Sequence, residues 1–195
     1  MGDDILNFFE QYLERDSLFK DKKVLQANYS PEHIPHREKE INKIASIFAP
    51  ALKLEKPSNL FIYGKSGTGK TLVTKHVIQK MNEISEKKGC NVKICYVNCK
   101  MRRVADTEYR LVAELCRDFG HNIPDTGLPT NEVYRYFIDA LEKEPIVLIV
   151  VLDEVDQLIE KAGNAILYNF TRLNSELEKS VVCIVGISNE LYITE

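Results

Sequence analysis

Apolar positions along this chain follow two alternating rhythms, one of helical period and one of short continuous runs. Ile5, Phe8, Phe9, Tyr12 and Leu13 share one face of a helix predicted over residues 4 to 15. An irregular stretch from Asn28 to His36, interrupted by Pro31 and Pro35, separates it from a second predicted helix. That helix carries Ile41, Ile44, Ala45, Phe48 and Leu52 at helical spacing, and Pro57-Ser58 ends the region. From there short apolar runs alternate with amphipathic ones. Asn59–Tyr63 predicts a strand, 70–87 a helix, Val92–Val97 a strand, and 106–119 a helix that stops at Gly120. A loop over Pro124–Pro129 precedes a helix with Val133, Phe137 and Leu141 at four-residue intervals. Ile146–Leu152 is a run of seven apolar residues rich in Val and Ile, as a strand buried on both faces requires. A helix from about 163 to 178 and a strand over Val181–Ile187 complete the pattern.

Strands separated by helices place the chain in the α/β class, with a parallel sheet flanked by helices on both faces and helices preceding it at the N-terminus. The expected division is a helical extension over residues 1–27 and a core over 28–195. No internal repeat or low-complexity segment breaks this scheme.

Composition narrows the function classes. With 44% hydrophobic and 28% charged residues, the 195-residue chain has the make-up of a globular domain. It has no uncharged apolar stretch of about 18 residues, so no membrane span and no membrane partner are expected. The acidic start MGDDILNFFEQYLER differs from the basic start of a secretion signal. A net charge of −3 argues against coating nucleic acid by charge alone, while leaving room for a local basic patch. The five cysteines contain no C-x-x-C pair, and the four histidines do not complete a metal cluster. Reduced, mostly buried thiols of an intracellular protein are expected.

The chemistry is concentrated at the ends of the predicted strands. Gly64-Lys65-Ser66-Gly67-Thr68-Gly69-Lys70-Thr71 fits G-x-x-x-x-G-K-[ST] between a strand and a helix, the context this motif needs. Its glycines let successive N–H groups turn toward phosphate oxygens, and the helix that follows aims the positive end of its dipole at the same anion. Lys70 supplies a charge for the β- and γ-phosphates of ATP or ADP, and the Thr71 hydroxyl is placed to ligate Mg²⁺. Asp153 and Glu154 directly follow the buried run, at the carboxyl edge where open α/β sheets bind ligands. Asp153 is expected to hold Mg²⁺ through water, and Glu154 to act as the base that orients and activates the attacking water. Ser188-Asn189 ends the last strand, where a polar side chain could contact the γ-phosphate or hold that water; alone, Ser-Asn is also an ordinary turn signal.

With these residues the chain resembles the AAA+ ATPases, and within them the archaeal Orc/Cdc-six replication initiators. The resemblance runs over nearly the whole chain. It includes Tyr29-Ser-Pro31, Pro35-His-Arg-Glu38, Pro57-Ser-Asn59, Tyr96-Val-Asn98-Cys99, Leu152-Asp-Glu-Val-Asp-Gln-Leu158 and Gly186-Ile-Ser-Asn189. It implies that Asn189 reads the γ-phosphate as the sensor-one residue, and that Asn98 is the polar residue able to hold the catalytic glutamate inactive. It implies that the segment around Ile34, Pro35 and Arg37 lines the adenine pocket. A helical insertion that touches DNA is implied between residues 100 and 130, with Lys100, Arg102 and Arg103 as its basic residues. As partners it implies double-stranded origin DNA, other initiator subunits and the replicative helicase, in the cytoplasm at the nucleoid.

The family pattern continues with a fifth strand, an arginine finger, a sensor-two arginine in a helical lid and a winged-helix domain. The sequence stops at Glu195 before all of these, as a piece of a longer initiator would, and hydrolysis and origin binding are expected to need them. Two other functions fit the same motifs: a nucleotide-locked structural subunit, and an AAA+ helper ATPase of transposition or plasmid type.

Overall fold

Four parallel strands form the centre of the larger of two compact units, Ile34–Glu195; Met1–His33 is the smaller. The computed structural model describes residues 3–14, 31, 33–100 and 107–190. In the smaller unit, helix α1 spans Asp3–Glu14, and its residues Ile5, Leu6, Phe8, Phe9 and Tyr12 are exposed.

In the larger unit the elements run α2 (Glu38–Phe48), β1 (Leu60–Tyr63), α3 (Lys70–Lys88), β2 (Val92–Asn98), α4 (Glu108–Asp118), α5 (Thr130–Leu141), β3 (Val147–Asp153), α6 (Val155–Ala162), α7 (Ala165–Arg172) and β4 (Val181–Ser188). The strands lie in the order β1-β4-β3-β2, so β3 and β4 are central and β1 and β2 form the edges. All seven residues of β3 are buried, which is why its sequence carries no polar position before Asp153.

Side chains alternate across the sheet and divide the interior into two cores. On one face Val147, Ile149, Val151, Cys183, Val185 and Ile187 meet Ile44 and Phe48 of α2 and Val73, Val77 and Met81 of α3. On the other, Leu148, Val150, Leu152 and Val182 meet Leu111 and Leu115 of α4, Phe137 of α5, Leu158 of α6 and Phe170 of α7. The predicted parallel sheet with helices on both faces is therefore the observed fold. Phe137 is fully buried, and truncating such a side chain to Ala costs about 3–5 kcal/mol.

Two boundaries differ from the sequence pattern. The second helix ends at Phe48, and Leu52 lies in a 3-10 turn over Ala49–Lys53. Pro50 lacks the N–H that would continue the α-helical ladder, and Leu54 closes the turn at φ 60°. The single helix predicted over 163–178 is instead α7 followed by a 3-10 turn over Leu173–Ser175, with α6 before it. Gly163, at φ 81°, separates the two helices. Asn174 stops the second one, because its side-chain amide exchanges two 2.8 Å hydrogen bonds with the backbone of Val182 and so is bound to the sheet.

Candidate nucleotide-binding site

Between Tyr63 and Lys70 the chain must turn from the end of an edge strand into the start of α3. Gly67 and Gly69 make that turn at φ of 78° and 85°, a region that costs an L side chain roughly 1–2 kcal/mol. Thr68 Oγ1 donates to the Lys65 carbonyl at 2.8 Å, which closes the loop on itself. Arg37, just before α2, ties a second segment to it by donating from Nη2 to the Thr68 carbonyl at 2.9 Å. Of the residues expected near adenine, Arg37 is the one that reaches the loop. Ile34 packs against the α2–α3 core, and Pro35 stands exposed in the turn leading to α2.

Lys70, the first residue of α3, folds its side chain back over the loop. Its ammonium donates to the carbonyls of Gly64 at 2.8 Å and Lys65 at 3.0 Å, and to Asn189 Oδ1 at 2.9 Å. Asn189 follows the last residue of β4, so this bond links the glycine-rich loop to a different strand. The Asn189 backbone N–H donates to Asp156 of α6 at 3.3 Å.

The next residue, Thr71, reaches the end of β3. Its hydroxyl lies 2.9 Å from Asp153 Oδ2 and 3.2 Å from Oδ1. Asp153 is 3% exposed, so its carboxylate needs donors, and it has two more: the Glu154 N–H on Oδ1 at 3.0 Å and the Tyr96 hydroxyl on Oδ2. Burial, and then the hydrogen bond to Asp153, hold the Tyr96 phenol well above its ordinary range, so it is a donor here.

Glu154 is placed differently. It caps α6 at φ 55° and ψ 46°, a left-handed conformation that favours glycine. Its Oε1 lies 3.7 Å from Lys100 Nζ, a loose pair because the lysine side chain is 71% exposed. Its Oε2 is buried without a hydrogen-bond partner, alone among the described side-chain oxygens and nitrogens in that respect. A left-handed backbone and a buried acceptor without a partner thus coincide at this one residue.

Asn98, at the end of β2, stands opposite Asp153 in the strand register. Its Oδ1 accepts from the Lys100 N–H at 2.9 Å, so Asn98 positions the backbone of the lysine that pairs with Glu154. Of the residues expected at a DNA-contacting insertion, Lys100 is exposed, and Arg102 and Arg103 lie outside the described residues. The five cysteines are free; Cys95, Cys99, Cys116 and Cys183 are buried. Burial pushes the Cys99 thiol up to about 12 and those of Cys116 and Cys183 up to about 11, which keeps them protonated.

Sequence reasoning passed over Tyr96 and Asp156. Tyr96 carried a usable signal: it is two residues before Asn98 in an apolar strand, hence on the same face, and a buried phenol needs a hydrogen-bond partner. Asp156 had none, since an acid in the first turn of a helix is common.

A family model described as an AAA domain matches residues 54–192. ORC1-type DNA replication protein 1 of Archaeoglobus fulgidus is 47% identical over 190 residues, covering 97% of this chain and 46% of that protein. The ORC1 protein of Aeropyrum pernix in complex with DNA has a TM-score of 0.81 at 39% identity, covering 90% of this chain and 44% of that one. The ORC2 protein of the same organism, in its ADPNP–ADP complexes, has a TM-score of 0.68 at 26% identity, covering 88% of this chain and 46% of that one. The chain spans about half the length of the curated relatives it matches. Taken with the loop and strand-end residues above, these likenesses show that the chain belongs to the AAA+ ATPases, in the family of ORC1-type (Orc/Cdc-six) DNA replication proteins.

Proposed function

We propose that this protein binds ATP or ADP with Mg²⁺ at Gly64–Thr71 and hydrolyses ATP slowly, as the nucleotide switch of a replication initiator. In this reading the whole protein binds double-stranded origin DNA, works beside other initiator subunits that supply an arginine finger, and helps load the replicative helicase at the chromosome.

The observation that carries the reading is convergence. Lys70 and Thr71, adjacent at the start of α3, bond to Asn189 at the end of β4 and to Asp153 at the end of β3. Residues far apart in sequence thus meet beside a glycine turn whose helix N–H groups lack internal acceptors. The donor set suits the cation, since the Thr71 hydroxyl and the Asp153 carboxylate are hard oxygens, the first to bind Mg²⁺ directly and the second through a water that Mg²⁺ keeps. When bound, Mg²⁺ would neutralise phosphate charge that the protein's own cations leave unmatched.

The residues divide the work. Lys70 exchanges its present carbonyl partners for β- and γ-phosphate oxygens, a stronger charge-assisted contact. Asn189 shares Lys70, so its surroundings differ between ATP and ADP, which is what a switch between two states needs. The Glu154 carboxylate accepts the proton of the attacking water. The relatives named above, one in complex with DNA and one in nucleotide complexes, support the same assignment at the level of the family.

The test is thermal unfolding without nucleotide, with ADP–Mg²⁺ and with ATP–Mg²⁺, beside Lys70→Ala. Ligand at about a hundred times its dissociation constant stabilises the native state by ~2.7 kcal/mol. For a chain of this size the midpoint rises by roughly 5 to 11 °C. Lys70→Ala should abolish the rise. An equal rise in the variant would remove Lys70 from the site, and no rise in a folded wild-type sample would remove the site itself.

A further inference from the structure

Tyr96 sits on β2 opposite Val151, two residues before the Asn98–Asp153 pair, so its side chain projects to the same face of the sheet as Asp153. Its ring is held from the α3 side by the Lys75 ammonium, 4.5 Å from the ring centroid. Its hydroxyl donates to Asp153 Oδ2. Two groups each hold one carboxylate oxygen, the Glu154 N–H on Oδ1 and Tyr96 on Oδ2, while the Thr71 hydroxyl lies within reach of both. Thr71 is itself a proposed ligand of the cation. Tyr96 is the anchor on Oδ2 that has no other task.

We propose that Tyr96 is a positioning residue for the divalent cation: its hydroxyl fixes the plane of the Asp153 carboxylate in which that carboxylate and the Thr71 hydroxyl together hold Mg²⁺ beside the nucleotide. The inference rests on the reading of Asp153 and Thr71 given under the proposed function. Two effects of losing the hydroxyl oppose each other. The carboxylate loses a donor that occupies one of its lone pairs, which favours a cation, and it becomes free to rotate, which disfavours a site that requires two groups at once. Outer partners that orient a metal's ligands typically change affinity by about 10- to 100-fold, so orientation wins.

Tyr96→Phe removes the hydroxyl and keeps the ring, its contact with Lys75 and its place in β2. The experiment follows the unfolding midpoint at a fixed saturating ADP concentration while free Mg²⁺ is raised from an EDTA baseline. It is run on wild type, Tyr96→Phe and Asp153→Asn. The variant Tyr96→Phe should show the wild-type response to ADP in EDTA and need about tenfold more free Mg²⁺ for half of the metal-dependent rise. Half-saturation within twofold of wild type, or at lower Mg²⁺, together with a lower ligand-free midpoint, would overturn the inference and leave Tyr96 a structural residue. Failure of the underlying reading looks different. Wild type would show no metal-dependent rise, or Asp153→Asn would retain it in full, and the cation site would then lie elsewhere with Tyr96 outside it.

Discussion

Strand β3 is bounded by polar residues at both ends, and the two ends treat them in opposite ways. At the amino end the buried side-chain polar groups among the described residues have partners. The Ser180 hydroxyl, 2% exposed, lies 2.6 Å from the Leu141 carbonyl and 3.1 Å from that of Glu144, and accepts from the Ile146 N–H at 3.1 Å. The Glu142 carboxylate accepts from the N–H groups of Lys179 and Ser180, each at 3.1 Å. Val147 and Val181 extend the ladder to Asn91 and Ile146 at 3.0 Å. At the carboxyl end Asp153 is well supplied with donors, but Glu154 is strained and its inner oxygen has none. The same strand thus ends once in a closed polar knot and once in an acid with spare capacity. Buried polar groups that serve stability are satisfied, because leaving one unmade costs about 1–3 kcal/mol. The natural reading of an unsatisfied one is that something else completes it.

Glu154→Gln gives the sharpest contrast between the two ends. The substitution keeps the shape of the residue and removes its ability to take a proton. Turnover should fall by about 10²- to 10⁴-fold, the usual contribution of a positioned base. The unfolding midpoint should move little, within about 1 kcal/mol, because the loose partner Lys100 contributes little. A single-turnover assay on ATP beside a melt separates the two effects. Turnover retained within a few-fold would show that Glu154 is not the base.

Ser180→Ala tests the opposite end with the opposite expectation. It strips the Ile146 N–H and the Leu141 carbonyl of a buried partner, at a cost of about 2 kcal/mol. The midpoint should fall by roughly 4 to 8 °C. The nucleotide-dependent rise above that lowered baseline should be unchanged, since Ser180 lies at the other end of the strand from the phosphate loop. A lost nucleotide response in a folded sample would mean that the two ends are coupled through β3 and β4.

How much of this was legible beforehand follows from where each signal resides. The strand Ile146–Leu152 and the loop Gly64–Thr71 could be read directly, because burial on both faces and a tight glycine turn from a strand into a helix are demands on composition itself. Asp153, Glu154 and Asn189 followed from their places at strand ends. Helix α6 was harder: Val155, Leu158, Ile159 and Ala162 do have helical spacing, but only two turns fit before Gly163, and so short a segment gives a weak periodic signal. The stop at Asn174 depends on a partner, Val182, that only the fold brings near. The pairings of Tyr96 with Asp153 and of Arg37 with Thr68 are of the same kind, set by strand register and loop position rather than by neighbours in sequence. Residue types were readable; partners across the sheet were not.

The smallest expected effect concerns the strain itself. At φ 55° a side chain costs roughly 1–2 kcal/mol relative to glycine, while glycine adds about 0.4–1 kcal/mol of freedom to the unfolded chain. Glu154→Gly also removes the buried, unpartnered oxygen. Against these gains stands the pair with Lys100, which at this exposure contributes at most about 1 kcal/mol. The balance favours the variant by about 1 kcal/mol, a rise of roughly 2 to 4 °C in the ligand-free midpoint, with turnover lost as in Glu154→Gln. A more stable and inactive protein would mean that Glu154 is kept against the interest of the fold, which separates it from every residue of the Ser180 knot. A clear fall in the midpoint would mean that Glu154 stabilises the start of α6 despite its conformation. The two ends of β3 would then differ in geometry but not in purpose.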